Sequence, residues 1–242
     1  MEKVMKTIVP IIVFITFVMT TLACRNDAGD NLAQQDNKGQ TTEADGSITE
    51  KVVEQDGIIS DLDILIEKGD KAFEERNLDE AVNSYTKALS LNPDSADLHY
   101  RLGLAYGHKG QLDDAILAFK QAISFEPNHI KARNNLGLAY ERKAMLDQAL
   151  SEYRQAIRIN PNDAQSHYNI ARVYLIRRNQ DPTLGPLSAD HYFRAGELFL
   201  EQGNEVWAIM AYNGLKQTKS KESEQALYEK FSPELQQKVE KP

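Results

Sequence analysis

A small residue, an aromatic residue and a proline return every 34 residues between residues 62 and 162. The step is kept by Gly69, Gly103 and Gly137, by Ala81, Ala115 and Ala149, by Tyr85, Phe119 and Tyr153, by Ala88, Ala122 and Ala156, and by Pro93, Pro127 and Pro161. Within one period the apolar positions fall into two groups at helical intervals, separated by a polar turn such as residues 110–113. The pattern therefore predicts three stacked units of two short helices, with function on a surface that the units share.

The repeated proline and aspartate of each unit predict where the second helix begins and ends. Proline lacks an N–H and disfavours helical dihedrals in the residue before it, so the second helices should end at Asn92, Glu126 and Asn160. Asp79, Asp113 and Asp147 stand where those helices should begin, where a carboxylate can accept the unpaired backbone amides. Glycine and alanine at the helix crossings allow close approach, and the aromatic rings fill the space beside them.

The strings LGLAYGHKGQLDDAILAFKQAISFEP (102–127) and LGLAYERKAMLDQALSEYRQAIRINP (136–161) resemble tetratricopeptide repeats. They match the leucine-glycine, tyrosine, alanine, aromatic, alanine and proline signature, and the first unit is similar. The resemblance covers residues 62 to about 216. It implies an all-α protein whose helix-turn-helix units form a right-handed superhelical solenoid.

The pattern changes after Pro161. Residues 164–177 fit another first helix, but two prolines and a glycine in residues 181–187 predict a loop where a second helix should start. We therefore expect a solenoid over residues 58–220, with units near 62–95, 96–129 and 130–163, an interrupted unit at 164–188 and a divergent unit at 189–220. An alternative pairs the helix near 189–202 with that at 164–177 and makes 204–218 a cap. Residues 221–242 should close the stack, with a kink or break at Pro233.

The amino terminus has the features of a secretory signal. Lys3 and Lys6 precede an apolar run over residues 7–23 that is short for a membrane-spanning helix and ends in small residues. Cys24, the only cysteine, follows at once. The tract 20–24 resembles a bacterial lipobox, although Thr21 stands where leucine is commonest. This resemblance implies removal of the signal peptide 1–23 and fatty acylation of Cys24, with palmitate as a typical chain. A general signal peptide cut near Ala23 and an uncleaved anchor helix remain open.

Residues 24–57 are rich in Asp, Gln, Asn, Gly and Thr and contain no aromatic residue. Such a segment buries too little apolar surface to order itself, and it predicts a disordered tether with an end-to-end distance of roughly 30 Å. With an acylated cysteine, it would hold the repeats near a membrane.

Composition and motifs argue against catalysis and against nucleic acid. The formal net charge is −8, whereas a nucleic-acid-binding surface usually leaves a basic footprint. The chain has no phosphate-binding glycine loop, no nucleophile elbow and no HExxH spacing. The five histidines do not have metal-ligand spacing, and His99 and His167 occupy equivalent positions two units apart. We therefore expect no enzyme activity, no cofactor and no metal.

In tetratricopeptide proteins the first helix of each unit lines a concave surface that binds protein or peptide partners. The resemblance implies a binding face with apolar, aromatic and basic contacts on three successive helices. Carried onto this sequence, the face comprises Tyr100, Arg101, Leu104, His108, Lys131, Asn134, Asn135, Leu138, Arg142, Tyr168, Asn169 and Arg172.

Two features of that face can be interpreted from residue type. Asn135 and Asn169 match positions where some relatives bind the backbone of an extended peptide; the alternative interpretation is that they hydrogen-bond between adjacent helices. Relatives that clamp the carboxyl-terminal tail of heat-shock chaperones need lysine and asparagine on the first helix, where this chain has Ile66 and Asp70.

These features together predict a lipid-anchored, non-catalytic scaffold of a bacterial cell envelope, facing the periplasm from the outer membrane in a Gram-negative cell. By analogy of architecture, the leading expectation is a role in assembling an envelope complex such as a secretin or a pilus. The alternative is an adaptor that positions a cell-wall hydrolase or synthase.

Overall fold

A computed structural model describes residues 61–240, which form eleven α-helices and contain no β-strand. None of these helices is both long enough and apolar enough to cross a bilayer. The predicted signal peptide, Cys24 and the tether lie outside the described residues. The helices are α1 (residues 61–74), α2 (Leu78–Leu91), α3 (Ala96–Lys109), α4 (Leu112–Phe125), α5 (Ile130–Arg142), α6 (Leu146–Ile159), α7 (Ala164–Arg177), α8 (Leu184–Glu201), α9 (Glu205–Thr218), α10 (Lys221–Tyr228) and α11 (Pro233–Glu240).

The second helices of the first three units end two residues before each repeated proline, one residue earlier than expected, and the predicted end residues are their C-caps. Asn92, Glu126 and Asn160 cap α2, α4 and α6 with φ between −137° and −127°, outside the helical region. Each cap N–H still donates to the carbonyl four residues earlier. The proline then prevents another helical turn, so each unit ends at the same phase of the repeat.

Each repeated glycine lies against the repeated aromatic ring of its own unit. A Cβ built on Gly69 would lie 2.5 Å from the Tyr85 ring, and the matching distances are 2.6 Å for Gly103 and Phe119 and 2.4 Å for Gly137 and Tyr153. All three rings are buried. Because real Cβ atoms do not come so close to another heavy atom, the first and second helices can pack at this separation only without a side chain at the glycine.

The repeated aspartates do not cap the second helices. Those helices begin one residue earlier, at Leu78, Leu112 and Leu146, so the aspartates lie inside the first turn, where the helix dipole favours negative charge. Each carboxylate instead accepts a basic side chain from the carboxyl end of the first helix of the following unit, at its last residue or its C-cap. These ion pairs form a ladder with the 34-residue step: Asp79 with Lys109, Asp113 with Lys143, and Asp147 with Arg177.

The expected loop at residues 181–187 is shorter than predicted. Helix α8 begins at Leu184, so Gly185 and Pro186 lie in its first turn. A proline is tolerated there because the N–H that it lacks has no intrahelical acceptor. The chain is non-helical only around Asp181, whose carboxylate accepts bonds from the Thr183 N–H at 3.0 Å and the Thr183 hydroxyl at 2.6 Å.

Helix α8 pairs with α7, so the interrupted unit 164–188 and the divergent unit 189–220 are replaced by a different division. The Ser188 hydroxyl, fully buried, donates to the Ala171 carbonyl at 2.8 Å. Helix α9 then packs on both α7 and α8, and Arg178 donates to the Gln217 carbonyl at 2.6 Å. The helix near 189–202 is thus the second helix of the fourth unit, as in the alternative division. Helix α9 takes the place of the next first helix rather than that of a cap.

Two short helices cover the last unit. Leu227 of α10 is fully buried, and its side chain fills the space above Gly196 of α8. Phe231 and Leu235 join the same cluster, and α11 starts at Pro233. The apolar end of the stack is therefore covered from Leu227 onward.

Candidate functional site

Helices α3, α5, α7 and α9 contact one another in succession, and cavities open along their shared surface. We call this surface the groove. It places the twelve predicted binding residues in several different environments. Of these residues, five line cavity 1: Leu104, His108, Asn135, Leu138 and Arg142. Cavity 2 is lined by Tyr168 and Arg172, and cavity 3 by Arg101 and Leu104.

Cavity 1 is an open space of about 260 Å³ between α3, α4 and α5, with both apolar and polar lining. Leu104, Phe119 and Leu138 supply most of its apolar wall. Arg142 lies at the same cavity and donates from Nη1 to the Gly107 carbonyl at 2.7 Å, which holds the guanidinium in place. Within residues 61–240, Arg142 forms no ion pair. Cavity 1 therefore combines an apolar wall with a fixed cation that can accept a carboxylate.

His108 forms another part of the wall of cavity 1 and packs edge-on against the Phe73 ring, with centroids 5.1 Å apart. Its pKa is lowered, first by burial and then by the nearby Arg76 and Arg142 cations. The imidazole is therefore neutral at pH 7 and offers a hydrogen bond rather than a charge.

Cavity 3, between α1, α2 and α3, is built around an ion pair rather than around a free charge. The Asp70 carboxylate accepts the Tyr85 hydroxyl at 2.7 Å and Arg101 at 2.5 Å. Arg101 also donates to Asp97 at 2.6 Å. Burial, followed by Asp70, raises the pKa of Tyr85, which keeps the hydroxyl protonated as a donor. The Arg101 guanidinium is thus already ion-paired, and its bond to Asp70 joins the first two units.

A matching network joins the third and fourth units. Arg172 donates to Glu141 at 2.5 Å, and the Tyr153 hydroxyl donates to the other oxygen of the same carboxylate at 3.3 Å. The Arg172 guanidinium also lies over the Tyr168 ring, 5.9 Å from its centroid. Of the three predicted arginines, Arg142 is therefore the one without a carboxylate partner in the described part of the chain.

The predicted asparagines bond internally. Asn134 is buried, donates to Asp163 at 2.8 Å and accepts the Ser166 hydroxyl at 2.8 Å. Asn169 is also buried and accepts from Gln165 at 3.2 Å. The Asn135 amide donates to the Lys131 carbonyl at 2.9 Å and to the Tyr100 hydroxyl at 3.4 Å. Of the two asparagines considered for peptide binding, Asn135 therefore bonds to the adjacent first helix through Tyr100, whereas Asn169 bonds within its own helix.

Both predicted groove tyrosines are largely packing residues. Tyr168 is 8 % exposed, with its ring edge-on to Tyr192 and to Trp207 at 5.5 and 5.4 Å. Tyr100 packs on His129, with centroids 4.9 Å apart. Lys131 is exposed and does not line any of the three groove cavities.

Sequence reasoning found only the α7 side of cavity 2, which lies between α7 and α9 and has a volume of about 390 Å³. Its far wall comes from Met210, Asn213 and Gln217, spaced three and four residues apart on one side of α9. That spacing was visible in the sequence. It was not assigned to the groove because the sequence predicted this helix either as the second helix of the divergent unit 189–220 or as a cap.

The histidines at equivalent repeat positions bond to the prolines that end the preceding units. His99 contacts the Pro93 carbonyl at 2.9 Å and His167 contacts the Pro161 carbonyl at 3.1 Å, while Arg133 makes the same bond to Pro127 in the unit between them. His167 and His191 also approach each other, Nδ1 to Nδ1, at 2.9 Å. No group of three or more potential metal ligands lies together in residues 61–240.

Two family models match the chain. One, described as TPR repeat, matches residues 69–110 and 146–175, and the other, described as tetratricopeptide repeat, matches residues 96–129. The chain contains tetratricopeptide (TPR) repeats. Helices α1 to α6 form three such units in register, and α7 with α8 forms the fourth, altered one.

Several solved structures are similar to this chain. The TPR domain of Arabidopsis OM64 is 22% identical, with a TM-score of 0.47, and the match covers 48% of this chain and 96% of that domain. The first TPR domain of Spaghetti (RPAP3), bound to the HSP90 peptide SRMEEVD, is 24% identical, with a TM-score of 0.46 and coverages of 47% and 90%. MamA is 23% identical, with a TM-score of 0.47 and coverages of 71% and 97%. No curated protein matches the chain significantly in sequence.

Proposed function

We propose that this chain is a membrane-anchored scaffold that binds a protein or peptide segment in its groove and performs no chemistry itself. The observation that carries the proposal is cavity 1, where an apolar wall surrounds an arginine without a carboxylate partner. TPR repeats are protein-interaction modules and are generally not catalytic. An apolar side chain next to a carboxylate on the partner would complement both parts of the cavity.

The groove differs from a clamp for a chaperone tail. That clamp needs lysine and asparagine on the first helix, whereas Asp70 occupies one of those positions and is engaged by Arg101 and Tyr85. The partner that we propose is instead an envelope component. A role in assembling a secretin or a pilus fits a tethered, non-catalytic scaffold, and loss of secretin or pilus multimers on deletion would support it. Intact multimers with an altered cell wall would favour an adaptor for a hydrolase or synthase.

Membrane attachment in this proposal depends on Cys24. We expect Cys24→Ala to abolish incorporation of a labelled fatty acid and to shift the chain out of the washed membrane fraction, because the acyl chains supply the membrane affinity. Metabolic labelling followed by fractionation measures both effects. Thr21→Leu, which restores the commoner lipobox residue, is the matched control and should retain the label. Unchanged labelling of the Cys24→Ala chain would rule out acylation at this residue.

Partner binding can be tested by site-specific crosslinking in the native cell. We expect a photoreactive amino acid at Leu138, in cavity 1, to give a discrete crosslinked product that Arg142→Glu reduces about tenfold, the size expected for a lost charge-assisted contact. The same probe at Leu117, which is exposed on the second helix α4, should not give this product. Arg158→Glu, an exposed arginine on α6, should leave the Leu138 product unchanged. Equal crosslinking from Leu138 and Leu117 would place the partner outside the groove.

A further inference from the structure

The exposed side of the second helices α2, α4 and α6 is basic on a protein that is acidic overall. Beyond the first turn of each helix, every exposed charged side chain is a cation: Lys87, Lys120, Arg154 and Arg158. None of these four forms an ion pair within residues 61–240. The chain as a whole carries a formal net charge of −8. This side of the repeats therefore differs in sign from the whole molecule, and it attracts anions.

Most carboxylates of these three helices already have a cationic partner. The ion-pair ladder neutralises one first-turn aspartate in each helix. Glu80 pairs with Lys68 at 2.7 Å, and Glu152 pairs with Arg133 at 3.0 Å. Asp114 accepts a hydrogen bond from the side-chain amide of Gln111 at 3.3 Å instead of from a cation. The free charge on these helices is therefore mainly positive.

Two of the cations are held at the same level of successive units. Lys120 and Arg154 are 34 residues apart, and each contacts a tyrosine of the following unit. The Lys120 ammonium lies 5.8 Å from the centroid of the Tyr140 ring, and Arg154 donates to the Tyr174 hydroxyl at 2.8 Å. Lys87 follows the equivalent position of α2 by one residue. A ring face or a neutral hydroxyl orients a cation without neutralising it, so these charges remain available to an anion.

A large apolar side chain accompanies these cations. Leu117 of α4 is 62% exposed and precedes Lys120 by three residues, which makes the two side chains neighbours on the helix surface. Phe119, which lines cavity 1, follows Leu117 by two residues and so points about 200° away around the helix. We call Lys87, Leu117, Lys120 and Arg154 the basic patch. The patch and the groove lie on opposite sides of α4.

An anionic phospholipid surface complements both parts of this patch. Lysine and arginine near such a surface are attracted to the lipid phosphates, and an exposed leucine can enter the boundary between headgroups and acyl chains. An acidic protein would complement the charge but would not require a leucine exposed among cations. The predicted tether, with an end-to-end distance of roughly 30 Å, would keep the repeats close enough for a weak patch to bind the bilayer. The acidic remainder of the chain is repelled by the same lipids, which selects this face.

We propose that the basic patch lies on an anionic phospholipid bilayer, with Leu117 at the headgroup boundary and the groove directed away from the membrane. This proposal rests on the membrane attachment in the proposed function and adds an orientation to it. The bilayer occupies the second-helix side of the repeats, and the first-helix side stays accessible to the protein or peptide partner.

The test measures contact between the patch and lipid in the anchored chain. The whole chain, purified from its native membrane, carries a fluorophore on Leu117→Cys and is reconstituted into vesicles that contain a spin-labelled quencher lipid. The vesicles are phosphatidylcholine alone or with about one third phosphatidylglycerol. We expect quenching at Leu117 in the anionic vesicles to exceed that in neutral vesicles at least about fivefold, and to be lost in about 1 M salt. The chain without an added cysteine supplies any background from Cys24.

Two comparisons make the measurement specific to the patch. A label on Leu138→Cys, in the groove, should show little quenching in either kind of vesicle. Lys120→Glu changes the charge of the patch by two and should lower the ratio of docked to undocked domain about thirtyfold, since each charge is worth about a factor of five. Lys71→Glu is the matched control, because Lys71 is an exposed lysine of the first helix α1 that forms no ion pair within residues 61–240. Circular dichroism checks that the variants keep their helicity.

The outcomes separate this proposal from the proposed function. Equal quenching of the Leu117 and Leu138 labels in anionic vesicles would overturn the orientation and leave membrane attachment intact. Quenching at Leu117 that is the same in neutral vesicles, or that survives Lys120→Glu, would overturn the role of the patch. A chain that does not stay with the vesicles would contradict both proposals. A discrete protein crosslink from Leu117 in the native cell, without quenching in vesicles, would assign the patch to an acidic protein instead.

Discussion

Replacing Gly137 with alanine should lower the free energy of unfolding by about 1–3 kcal/mol, the usual cost of overpacking a core. The added methyl group would lie 2.4 Å from the ring of Tyr153, which is fully buried and has no space to move into. Alanine has the higher helix propensity, so helix propensity alone predicts the opposite sign. Urea unfolding followed by circular dichroism measures the change, and amide hydrogen exchange should show the largest loss of protection in α5 and α6.

Gly107→Ala is the matched control for this substitution. Gly107 also lies within a first helix, but a Cβ built there meets only the Ala115 methyl group at 4.0 Å, an ordinary contact. This variant should be as stable as the original chain or more stable by up to about 1 kcal/mol. A double-mutant cycle with Tyr153→Leu completes the test, because Gly137→Ala should cost less once the ring is gone. The packing argument fails if Gly137→Ala and Gly107→Ala change the stability by the same amount.

Acidification from pH 6.5 to pH 4 should destabilise the fourth unit through the His167 and His191 pair. The Pro161 carbonyl can only accept, so the Nε2 of His167 carries the proton in that bond and its Nδ1 is the acceptor for the Nδ1–H of His191. Burial, then His167, then Arg154 lower the pKa of His191 to about 4. Burial is also the largest cause lowering the pKa of His167, with Arg194 in the same direction and the Pro161 bond and Asp163 opposing it.

The sign of this pH dependence follows from the lowered pKa. In the unfolded chain His191 titrates near pH 6.5, so between pH 6.5 and 4 the unfolded state binds more protons than the folded state. The contribution is therefore fully present above pH 6.5 and is lost as the pH falls towards 4. For His191 it amounts to about 3 kcal/mol. Urea unfolding at a series of pH values measures this slope, and hydrogen exchange in α7 and α8 locates it.

Two substitutions distinguish the histidine pair from general acid denaturation. His191→Gln should flatten the slope between pH 6.5 and 4 because it removes one of the two imidazoles. His99→Gln is the control, since His99 bonds to the Pro93 carbonyl in the same way but stacks on Phe125 rather than on a second histidine. That variant should keep the slope. A His191→Gln chain with an unchanged slope would assign the acid sensitivity to other groups.

The sequence was sufficient for features that depend on local stereochemistry. A proline ends a helix wherever it stands beyond the first turn, so the boundaries at Asn92, Glu126 and Asn160 were predictable. The packing of the repeated glycine against the repeated aromatic ring was also predictable, because both residues recur with the same 34-residue step. Pro186 was harder, because a proline is compatible both with a loop and with the first turn of a helix.

The roles of polar residues depend on partners far away in the chain, and the sequence did not reveal them. Asp113 could be placed at the start of a helix, but its cation comes from Lys143 in the following unit. Asn134 and Asn169 have the spacing of surface residues, yet both are buried in bonds to other side chains. The periodic pattern identifies which helices form the groove. It does not tell which polar side chains on those helices remain available to a partner.

The ladder of ion pairs between consecutive units makes the coupling between those units sensitive to salt concentration. In each pair the carboxylate side chain is more than four-fifths exposed, so mobile ions screen these bonds much more than they affect the buried rings. In a linear array of repeats, such bonds contribute only to the coupling between neighbours and not to the intrinsic stability of any unit. Raising the ionic strength should therefore broaden the unfolding transition and let the array fray from its ends, while each helical hairpin keeps its own core.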